Sequence, residues 1–560
     1  MPGKNTYIII AIALVAAIAV GIIYLFYLPI PQKPPTTQTP TTTTPVQQKR
    51  IVVYAYRDTI TGIDPSVEDD TGIMILHLVY ETILRYNPRT GGYDYVLAKE
   101  VEQVDNITWR IVLKDNVKFH DGSPLSAYDV NLSIWRTKLL YENLGKGLGY
   151  IWECVEDVSV VDEKTIEIKT SYPCDIRPTL AGAYGAFIYS RKVLELSGVK
   201  DVLSEDLINW FNRGNELGSG PYRIVKYEPE NEVVLEKFPD WWGWKELDNP
   251  NAPDVAIIKI VEDPGEQERL LRTGGIDVAS NIPRASIKSL KDAGFEVMVT
   301  DTFHNFILMF NVKRCPTNIT EVRKAIVYAI PWDSIVEQAL MGYGRKGSGL
   351  IPYGFPGHNS KWELHQDLDK AKQLLNSVNI PCDLKLYMVI TYGYEEEEAF
   401  AKLLKAELQK LGIQVDIKAL PWEQVKSMGQ NVWSNPEEAP HIIINDWWPT
   451  YLIPYDYFSL LECLEPEEGV VNLWNWAGYC NKEFDDLLSK AYEESLRNIT
   501  ESLPLYEEIQ KIVYEDMPAV NLWDMQHIYV YSPQKLKFRE GVFNPLYTYV
   551  VFFQYIEVLK

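Results

Sequence analysis

Residues 117–130 read VKFHDGSPLSAYDV, and this stretch combines a tight turn with the start of a helix. The turn is predicted at residues 120–124, because Asp, Gly, Ser and Pro favour such conformations. Ser126 and Asp129 have the spacing of a capping box, in which two residues satisfy each other's free backbone amides at a helix start. The stretch therefore predicts a turn that leads directly into a helix carrying Val130.

Strand patterns lie on both sides of this stretch. The β-branched and aromatic run at residues 51–56 predicts a strand. Apolar residues alternate over 109–113 and again over 117–119, with an Asp-Asn turn between them, which predicts a hairpin. The runs at 158–160 and 166–168 flank Asp-Glu and predict a second hairpin.

A strand–helix–strand unit follows later in the chain. Apolar residues alternate over 384–390, follow helical spacing over 400–411, and alternate again over 413–417, with Gly412 suited to end the helix. The acidic run 395–398 occupies the first helical turn, where negative charge suits the helix dipole, and we expect it to be solvated. Early hairpins and a later βαβ unit indicate a mixed α/β protein with more than one lobe.

Composition excludes several classes of function. The chain has 560 residues, which is too long for a single ordinary domain. Its net charge of -23, with 77 acidic against 54 basic residues, argues against nucleic acid as a partner. The sequence contains no Walker A, H-E-x-x-H or G-x-S-x-G motif, so nothing in it requires a catalytic residue, a cofactor or a metal.

The N-terminus predicts the compartment. No charged side chain occurs between Thr6 and Gln32, a length that as a helix crosses a hydrocarbon core of ~30 Å. Lys4 precedes this run, so the positive-inside rule places the N-terminus in the cytoplasm and the bulk of the chain outside. We expect residues 1–30 to be a single-pass membrane anchor; the alternative is a cleaved signal with its processing site at 17–19.

Residues 31–50 are rich in Pro and Thr and predict an extended linker that holds the following domain away from the membrane. An external location would also make Asn-x-Ser/Thr sequons available for glycosylation. Such sequons begin at Asn106, Asn131, Asn318 and Asn498.

The six cysteines form no C-x-x-C motif, which excludes zinc-ribbon and thioredoxin-like sites. In an exported chain an even number of cysteines indicates disulfides. Proximity in the sequence predicts the pairs Cys154–Cys174 and Cys463–Cys480. The remaining pair would be Cys315–Cys382.

Many aromatic residues lie in loop-like stretches beside Gly, Pro and Asn, and flat rings in such positions often line ligand clefts. These clusters are at residues 241–244 (WWGW), 447–449 (WWP) and 474–476 (WNW).

From about Ile51 to the C-terminus the chain resembles the family 5 extracellular solute-binding proteins, the oligopeptide, dipeptide and nickel class of ATP-binding-cassette (ABC) importers. Residues 117–130 are close to the family's V-K-F-H-D-G-x-P-[LF]-[TS]-A-x-D-V signature. Further segments resemble family motifs in the same order: residues 218–222 (GSGPY), 238–243 (FPDWWG), 274–278 (GGIDV), 323–330 (RKAIVYAI) and 411–415 (LGIQV).

The resemblance implies an α/β, periplasmic-binding-protein-like clamp of two lobes with a third subdomain, following the N-terminal transmembrane helix. Such a receptor has no catalytic activity and delivers its solute to ABC permease subunits. The implied boundaries are 51–90, 216–302 and 515–560 for lobe I, 91–215 for the extra subdomain and 303–514 for lobe II. The implied hinges lie near residues 303–311 and 518–530.

Peptide-binding members carry a W-x-x-D-Y-x-x-P motif whose Asp pairs with the peptide α-amine. Residues 447–454 here read WWPTYLIP, so that Thr450 stands at the Asp position and Asp446 lies nearby in a shifted register. The residues that the resemblance implies for ligand binding are Asn305, Trp422, Asp446, Trp447, Trp448, Thr450 and Tyr451.

Two ligand classes remain open. If Asp446 points away, a neutral cleft walled by Trp422 and Trp447 suits an oligosaccharide; if Asp446 reaches the cleft, it replaces the missing Asp and suits a short peptide. Outside the transport class, the alternatives are a secreted glycoside hydrolase or peptidase, and a structural surface-layer protein.

Overall fold

The computed structural model describes residues 49–464 and 470–559. The expected anchor at 1–30 and the linker up to residue 48 lie outside these residues. Within the described ranges, no helix is long and apolar enough to cross a membrane. The chain from Lys49 onward forms one compact unit.

The strands, in chain order, are β1 Ile51–Tyr56, β2 Leu84–Asn87, β3 Gly92–Tyr95, β4 Ala98–Gln103, β5 Thr108–Leu113, β6 Val155–Val160, β7 Thr165–Thr170, β8 Tyr222–Glu228, β9 Glu232–Lys237, β10 Val255–Ile260, β11 Val278–Ala279, β12 Glu296–Phe310, β13 Gly344–Lys346, β14 Lys385–Thr391, β15 Gln414–Leu420, β16 Ile442–Trp447, β17 Ala519–Tyr531, β18 Leu536–Phe538 and β19 Ile556–Val558.

The α-helices, in chain order, are α1 Ile73–Val79, α2 Ala127–Leu144, α3 Arg177–Leu180, α4 Val193–Ser197, α5 Glu205–Phe211, α6 Trp244–Leu247, α7 Pro264–Thr273, α8 Ile287–Asp292, α9 Thr320–Ala329, α10 Trp332–Ser334, α11 Leu368–Ser377, α12 Glu395–Lys410, α13 Trp422–Ser434, α14 Tyr455–Phe458, α15 Lys482–Arg497 and α16 Ile499–Asp516. Shorter helical turns lie at Gly149–Trp152, Arg284–Ser286, Ile335–Ala339, Ser360–Trp362, Ser459–Leu461 and Phe553–Tyr555.

Eleven of the described strands form one mixed sheet, in the order β15-β14-β16-β12-β17-β11-β1-β10-β9-β8, with β13 paired to β17. The long strands β12 and β17 run antiparallel at its centre, from Glu296 opposite Tyr531 to Met309 opposite Ala519. Their register shifts between Asp301 and Asn305. The two segments expected to act as hinges therefore lie in β12 and β17, on strands shared by both halves of the sheet.

Helices cover both faces of one half of this sheet, which explains its continuous apolar strands. In β16, Ile442 and Ile444 pack with Phe400 of α12, whereas Ile443 between them packs with Val425 of α13 on the opposite face. The predicted βαβ unit is confirmed as β14, α12 and the parallel strand β15.

The acidic start of α12 is more buried than the sequence predicts. Glu396 and Glu397 are 5% and 0% exposed. Glu397 accepts a hydrogen bond from the backbone N–H of Thr391 at 2.7 Å, and burial raises its pKa well above the ordinary value. The expectation of a solvated helix start was wrong for these two residues, because the first turn of α12 folds back onto the end of β14.

A separate four-stranded sheet, in the order β4-β5-β7-β6, lies within residues 98–170. The hairpin of β6 and β7 is confirmed, whereas the hairpin predicted between 109–113 and 117–119 was wrong. Both edges of β5 are already occupied by β4 and β7. Residues 117–119 instead close the following turn, with Phe119 N–H donating to the Ser123 carbonyl at 2.8 Å.

The turn at residues 117–130 is tied to the Gly-rich turn at 218–222. His120 bonds Glu216 through Nδ1 at 2.8 Å and the Gly220 carbonyl through Nε2 at 2.9 Å. Burial alone would lower the pKa of His120, but the Glu216 carboxylate raises it above the ordinary value. The predicted capping box is confirmed, since the Ser126 N–H donates to Asp129 Oδ2 at 2.8 Å. The turn at 117–130 and the turn at 218–222, which are distant in the sequence, are therefore joined by hydrogen bonds.

All three cysteine pairs expected from the sequence are present: Cys154–Cys174, Cys315–Cys382 and Cys463–Cys480. The first closes a loop of 20 residues around the β6–β7 hairpin, and the second closes a loop of 67 residues. These three crosslinks involve all six cysteines of the chain.

A buried ion pair joins α2 to the loop that follows β1. The Arg136 guanidinium donates to both carboxylate oxygens of Asp64, at 2.6 and 2.5 Å, and neither side chain is more than 1% exposed. Arg136 also donates through Nε to the Val202 carbonyl at 2.8 Å. This pair fixes the position of α2, whose C-terminal end lines the cavity described below.

We expect Arg136→Met to lower the free energy of unfolding by about 3–5 kcal/mol, because it leaves the Asp64 carboxylate buried without its cation. Urea unfolding measures this change. The double variant Arg136→Met/Asp64→Asn removes the charge as well and is expected to recover part of the loss. A single variant as stable as the native chain would contradict this account of the pair.

Candidate functional site

A cavity of about 600 Å³ opens between the end of β16, the loop after β1, the C-terminal end of α2 and the segment that follows α14. Its lining combines aromatic rings with carboxylates. The lining residues are Asp69, Asp70, Tyr141, Glu142, Gly145, Gly147, Leu148, Tyr150, Tyr184, Trp422, Asp446, Trp447, Trp448, Thr450, Tyr455, Ser459, Glu462, Leu464, Val471, Asn472, Leu473 and Trp474.

Five of the seven residues expected to bind ligand lie on this cavity: Trp422, Asp446, Trp447, Trp448 and Thr450. Four of them come from the end of β16 and the residues directly after it. This strand is buried on both faces, so its end emerges from the core at the cavity wall. Trp422 arrives from the first position of α13.

The structure does not bring the side chains of Asn305 and Tyr451 to the lining of this cavity. Asn305 is fully buried in β12, where its Nδ2 donates to the Leu350 carbonyl at 2.7 Å. Tyr451 is also fully buried, and its ring packs edge-on against Tyr150. Both side chains point into the core from backbone that adjoins the site.

The two adjacent tryptophans differ in their hydrogen bonds. Trp448 Nε1–H donates to the Tyr184 hydroxyl at 2.9 Å. Trp447 packs against Trp474 with ring centroids 5.3 Å apart, and its buried Nε1–H has no acceptor among the described residues. A buried donor without a partner is costly, so the indole of Trp447 is available for an acceptor on a ligand.

Asp70 connects opposite walls of the cavity. Its Oδ2 accepts hydrogen bonds from Lys426 Nζ at 3.1 Å and from Trp422 Nε1 at 3.3 Å, both on α13. Burial raises the pKa of Asp70 above its ordinary value, although the charge and hydrogen bond of Lys426 act in the opposite direction.

Asp446 reaches the cavity wall but is 5% exposed. Its Oδ2 lies 3.1 Å from His304 Nε2 on the neighbouring strand β12. Burial raises the pKa of Asp446 to about 6, against the opposing charge of Arg57. Because Asp446 lines the cavity together with other carboxylates, the condition under which the sequence favoured an oligosaccharide, a neutral cleft from which Asp446 points away, is not met.

Two imidazole rings, those of His304 and His527, form a hydrogen-bonded row that ends at Asp446. His304 Nδ1 lies 3.2 Å from Nε2 of His527 on β17. Burial lowers the pKa of both histidines well below the ordinary value, so each ring is neutral and carries one N–H. If His304 donates Nε2–H to Asp446, its Nδ1 accepts from His527. This arrangement fixes both tautomers and gives the carboxylate a donor.

Sequence reasoning missed several lining groups, notably Asp69, Asp70, Glu142 and Glu462. Asp69 and Asp70 follow β1 in a loop with no motif of its own, and only the tertiary fold brings this loop to the cavity. The aromatic cluster at 474–476 did give a signal. Trp474 lines the cavity, whereas Trp476 is 1% exposed and packs in the core behind Trp422.

Within the described part of the chain, no group of three or more His, Cys, Asp or Glu side chains is arranged to hold a metal ion.

The two tryptophans allow a matched comparison, because both are half-buried and lose the same atoms on substitution by Phe. We expect Trp448→Phe to destabilise the ligand-free protein by about 1 kcal/mol more than Trp447→Phe, since only Trp448 loses a hydrogen bond. Urea unfolding of both variants measures the difference. Equal losses, or a larger loss for Trp447→Phe, would show that its indole N–H does have a partner.

The family model described as "Bacterial extracellular solute-binding proteins, family 5 Middle" matches residues 93–463. Among curated proteins, the chain is 27% identical over 451 residues to the probable D,D-dipeptide-binding periplasmic protein DdpA of Escherichia coli, covering 79% of this chain and 80% of that protein. It is 24% identical over 469 residues to the dipeptide-binding protein of the same organism, covering 79% and 82%.

Solved structures share the fold. The periplasmic binding protein DppA of Helicobacter pylori, in complex with the peptide STSA, superposes with a TM-score of 0.75 at 21% identity, covering 92% of this chain and 99% of that one. The dipeptide-binding protein of Pseudoalteromonas sp. SM9913, in complex with Met-Leu, superposes with a TM-score of 0.77 at 18% identity, covering 91% and 100%.

The family match covers more than half of the chain, and it agrees with the mixed α/β fold and with the motif order in the sequence. It sets aside the alternatives of a secreted hydrolase, a peptidase and a surface-layer protein. The chain belongs to family 5 of the bacterial extracellular solute-binding proteins, which are receptors of ABC importers and not enzymes.

Proposed function

We propose that this receptor captures short peptides and that the peptide α-ammonium lies beside Asp446. The observation that carries the proposal is the position of this carboxylate, which is buried at the cavity wall and supported by the neutral ring of His304. A buried carboxylate beside an open cavity gains most from a ligand that brings a positive charge with hydrogen-bond donors. Asp446 would then take the role that Thr450 cannot fill.

The relatives support this ligand class. The two curated relatives described above are named for dipeptides, and the two solved structures hold the peptide STSA and the dipeptide Met-Leu. A cavity of about 600 Å³ falls within the size range of small-ligand sites and accommodates a short peptide. The unpartnered Nε1–H of Trp447 would donate to a peptide carbonyl.

Capture would proceed by closure of two lobes with the boundaries implied by the sequence, 51–90 with 216–302 and 515–560 against 303–514, and with the subdomain 91–215 beside them. The register shift between Asp301 and Asn305 interrupts the β12–β17 ladder and is where bending would be easiest. The closed, loaded receptor would then dock on its ABC permease subunits.

An oligosaccharide is the second candidate, because indole and phenol rings from several elements surround the cavity. The rings that line it include those of Trp422, Trp447, Trp474, Tyr141 and Tyr184. Such rings stack on sugar faces, and carboxylates accept hydrogen bonds from sugar hydroxyls. The two candidates differ in one respect: a sugar does not need Asp446 to be charged.

Titration calorimetry with Ala-Ala-Ala, its N-acetyl form and a glucan trisaccharide separates the candidates. We expect the free peptide to bind, and both N-acetylation and Asp446→Asn to weaken binding at least ~10-fold through loss of a charge-assisted contact. Asp416→Asn, at an exposed acidic residue of β15, is the matched control and is expected to bind normally. Glucan binding that survives Asp446→Asn, without peptide binding, would overturn the peptide proposal.

We also propose that residues 1–30 remain as an uncleaved anchor that holds the receptor at the outer face of the membrane. Of the sequon asparagines, Asn106, Asn318 and Asn498 are exposed, whereas the Asn131 amide donates to the Val158 carbonyl at 2.5 Å. The first three are the sites at which glycans would be accommodated without breaking a contact of the described fold.

For the anchor we expect the full-length chain to sediment with membranes and to resist alkaline extraction, while residues 50–560 expressed alone stay in the soluble fraction. The reason is the charge-free run from Thr6 to Gln32, which is long enough to span the hydrocarbon core. N-terminal sequencing of the mature protein is the decisive measurement. A mature N-terminus close to Ala19 would establish a cleaved signal instead.

A further inference from the structure

The charge of the cavity lining is of one sign. Five of its side chains are acidic, and no Lys, Arg or His lines the cavity among the described residues. The acidic lining residues are Asp69, Asp70, Glu142, Asp446 and Glu462.

Cationic side chains lie close to some of these carboxylates, but they do not themselves line the cavity. Lys138 pairs with Glu142 at 2.9 Å, and Lys426 pairs with Asp70. Arg57 lies beyond Asp446, with its guanidinium 4.0 Å from the centroid of the Tyr394 ring and its Nη2 donating to the Tyr549 hydroxyl at 2.5 Å.

Two further lining carboxylates differ from these. Asp69 and Glu462 have no ion pair within the described ranges, and the Glu462 carboxylate accepts only the Tyr455 hydroxyl there, at 2.8 Å. The acidic lining is therefore only partly compensated by the protein itself.

A second observation points from these charges to a ligand. Asp70 is 5% exposed and lines the cavity, and its Oδ2 is occupied by Lys426 and Trp422. Its Oδ1 is buried without a hydrogen-bond partner in the described chain. Buried carboxylate oxygens are normally satisfied, so this oxygen is an acceptor that lacks its donor. A ligand ammonium or guanidinium supplies such a donor together with the missing charge.

The same lining offers little to a negatively charged ligand group. A peptide carboxylate would enter beside several like charges and would find no cationic side chain to neutralise it. Its desolvation would remain uncompensated, because the donors that face the cavity are neutral, as is the indole of Trp447. The C-terminal end of a bound peptide therefore gains nothing from being charged.

We propose that the receptor selects its peptides by positive charge: it prefers a cationic side chain beside Asp70 and does not recognise the C-terminal carboxylate. This inference rests on the proposed peptide function and narrows it to basic peptides and to peptides with a neutral C-terminus. Selection arises because the ligand completes the hydrogen bonding of Asp70 and reduces the excess negative charge of the lining.

The test uses the full-length protein in detergent and calorimetry with four tripeptides: Ala-Lys-Ala, Ala-Gln-Ala, Ala-Glu-Ala and the C-terminal amide of Ala-Gln-Ala. Affinity is expected to fall at least ~10-fold from the Lys to the Glu peptide, the scale of one charge-assisted contact. The amide is expected to bind at least as tightly as the free acid. Equal affinities along the series, or an amide that binds ~10-fold more weakly than the acid, would overturn the inference while leaving peptide binding intact.

A variant pair locates the effect. Asp70→Asn is expected to reduce the preference for Ala-Lys-Ala over Ala-Gln-Ala to less than ~3-fold, whereas Asp383→Asn, which makes the same charge change at an exposed residue far along the sequence, is expected to preserve it. An unchanged preference in Asp70→Asn would contradict the role of Asp70. If none of the four peptides binds the native protein, the proposed peptide function fails and this inference fails with it.

Discussion

The antiparallel pairing of β12 with β17 is the constraint on which the rest of the structure depends. These two strands form the centre of the sheet, so that β16 and its neighbours lie on one side and β11 with β1 on the other. They also carry His304 and His527, which stand directly behind Asp446. A single ladder thus joins the two halves of the sheet and supports the charged group at the cavity wall.

Local patterns in the sequence predicted local structure well. The capping box at Ser126 and the βαβ unit at 384–417 depend only on neighbouring residues, and both are present in the structure. The hairpin expected at 109–119 required residues 117–119 to pair with β5. In the structure β5 pairs with β4 and β7 instead. Propensity indicates that a strand forms, but only the tertiary fold decides its partner.

The candidate site was predictable where it lies on segments that can be aligned to the family. Trp422 and most of residues 446–450 were found in this way. Asp69 and Asp70 gave no signal, because they belong to a loop whose function depends on its approach to α13. The burial of Glu396 and Glu397 was missed because a run of acidic residues predicts exposure unless the fold around it, here the end of β14, covers it.

Asp70 contributes both to the contact between the walls of this cavity and to the negative charge of its lining. One carboxylate oxygen accepts hydrogen bonds from Lys426 and Trp422 of α13, and these bonds connect opposite walls of the cavity. The other oxygen has no hydrogen-bond partner among the described residues, so a cationic ligand can bind to the group that already joins the walls. The ligand then does not compete with Lys426 for the same lone pairs, and its charge offsets the cost of burying this carboxylate near Asp446. Contact between the walls and ligand binding therefore reinforce each other through one side chain.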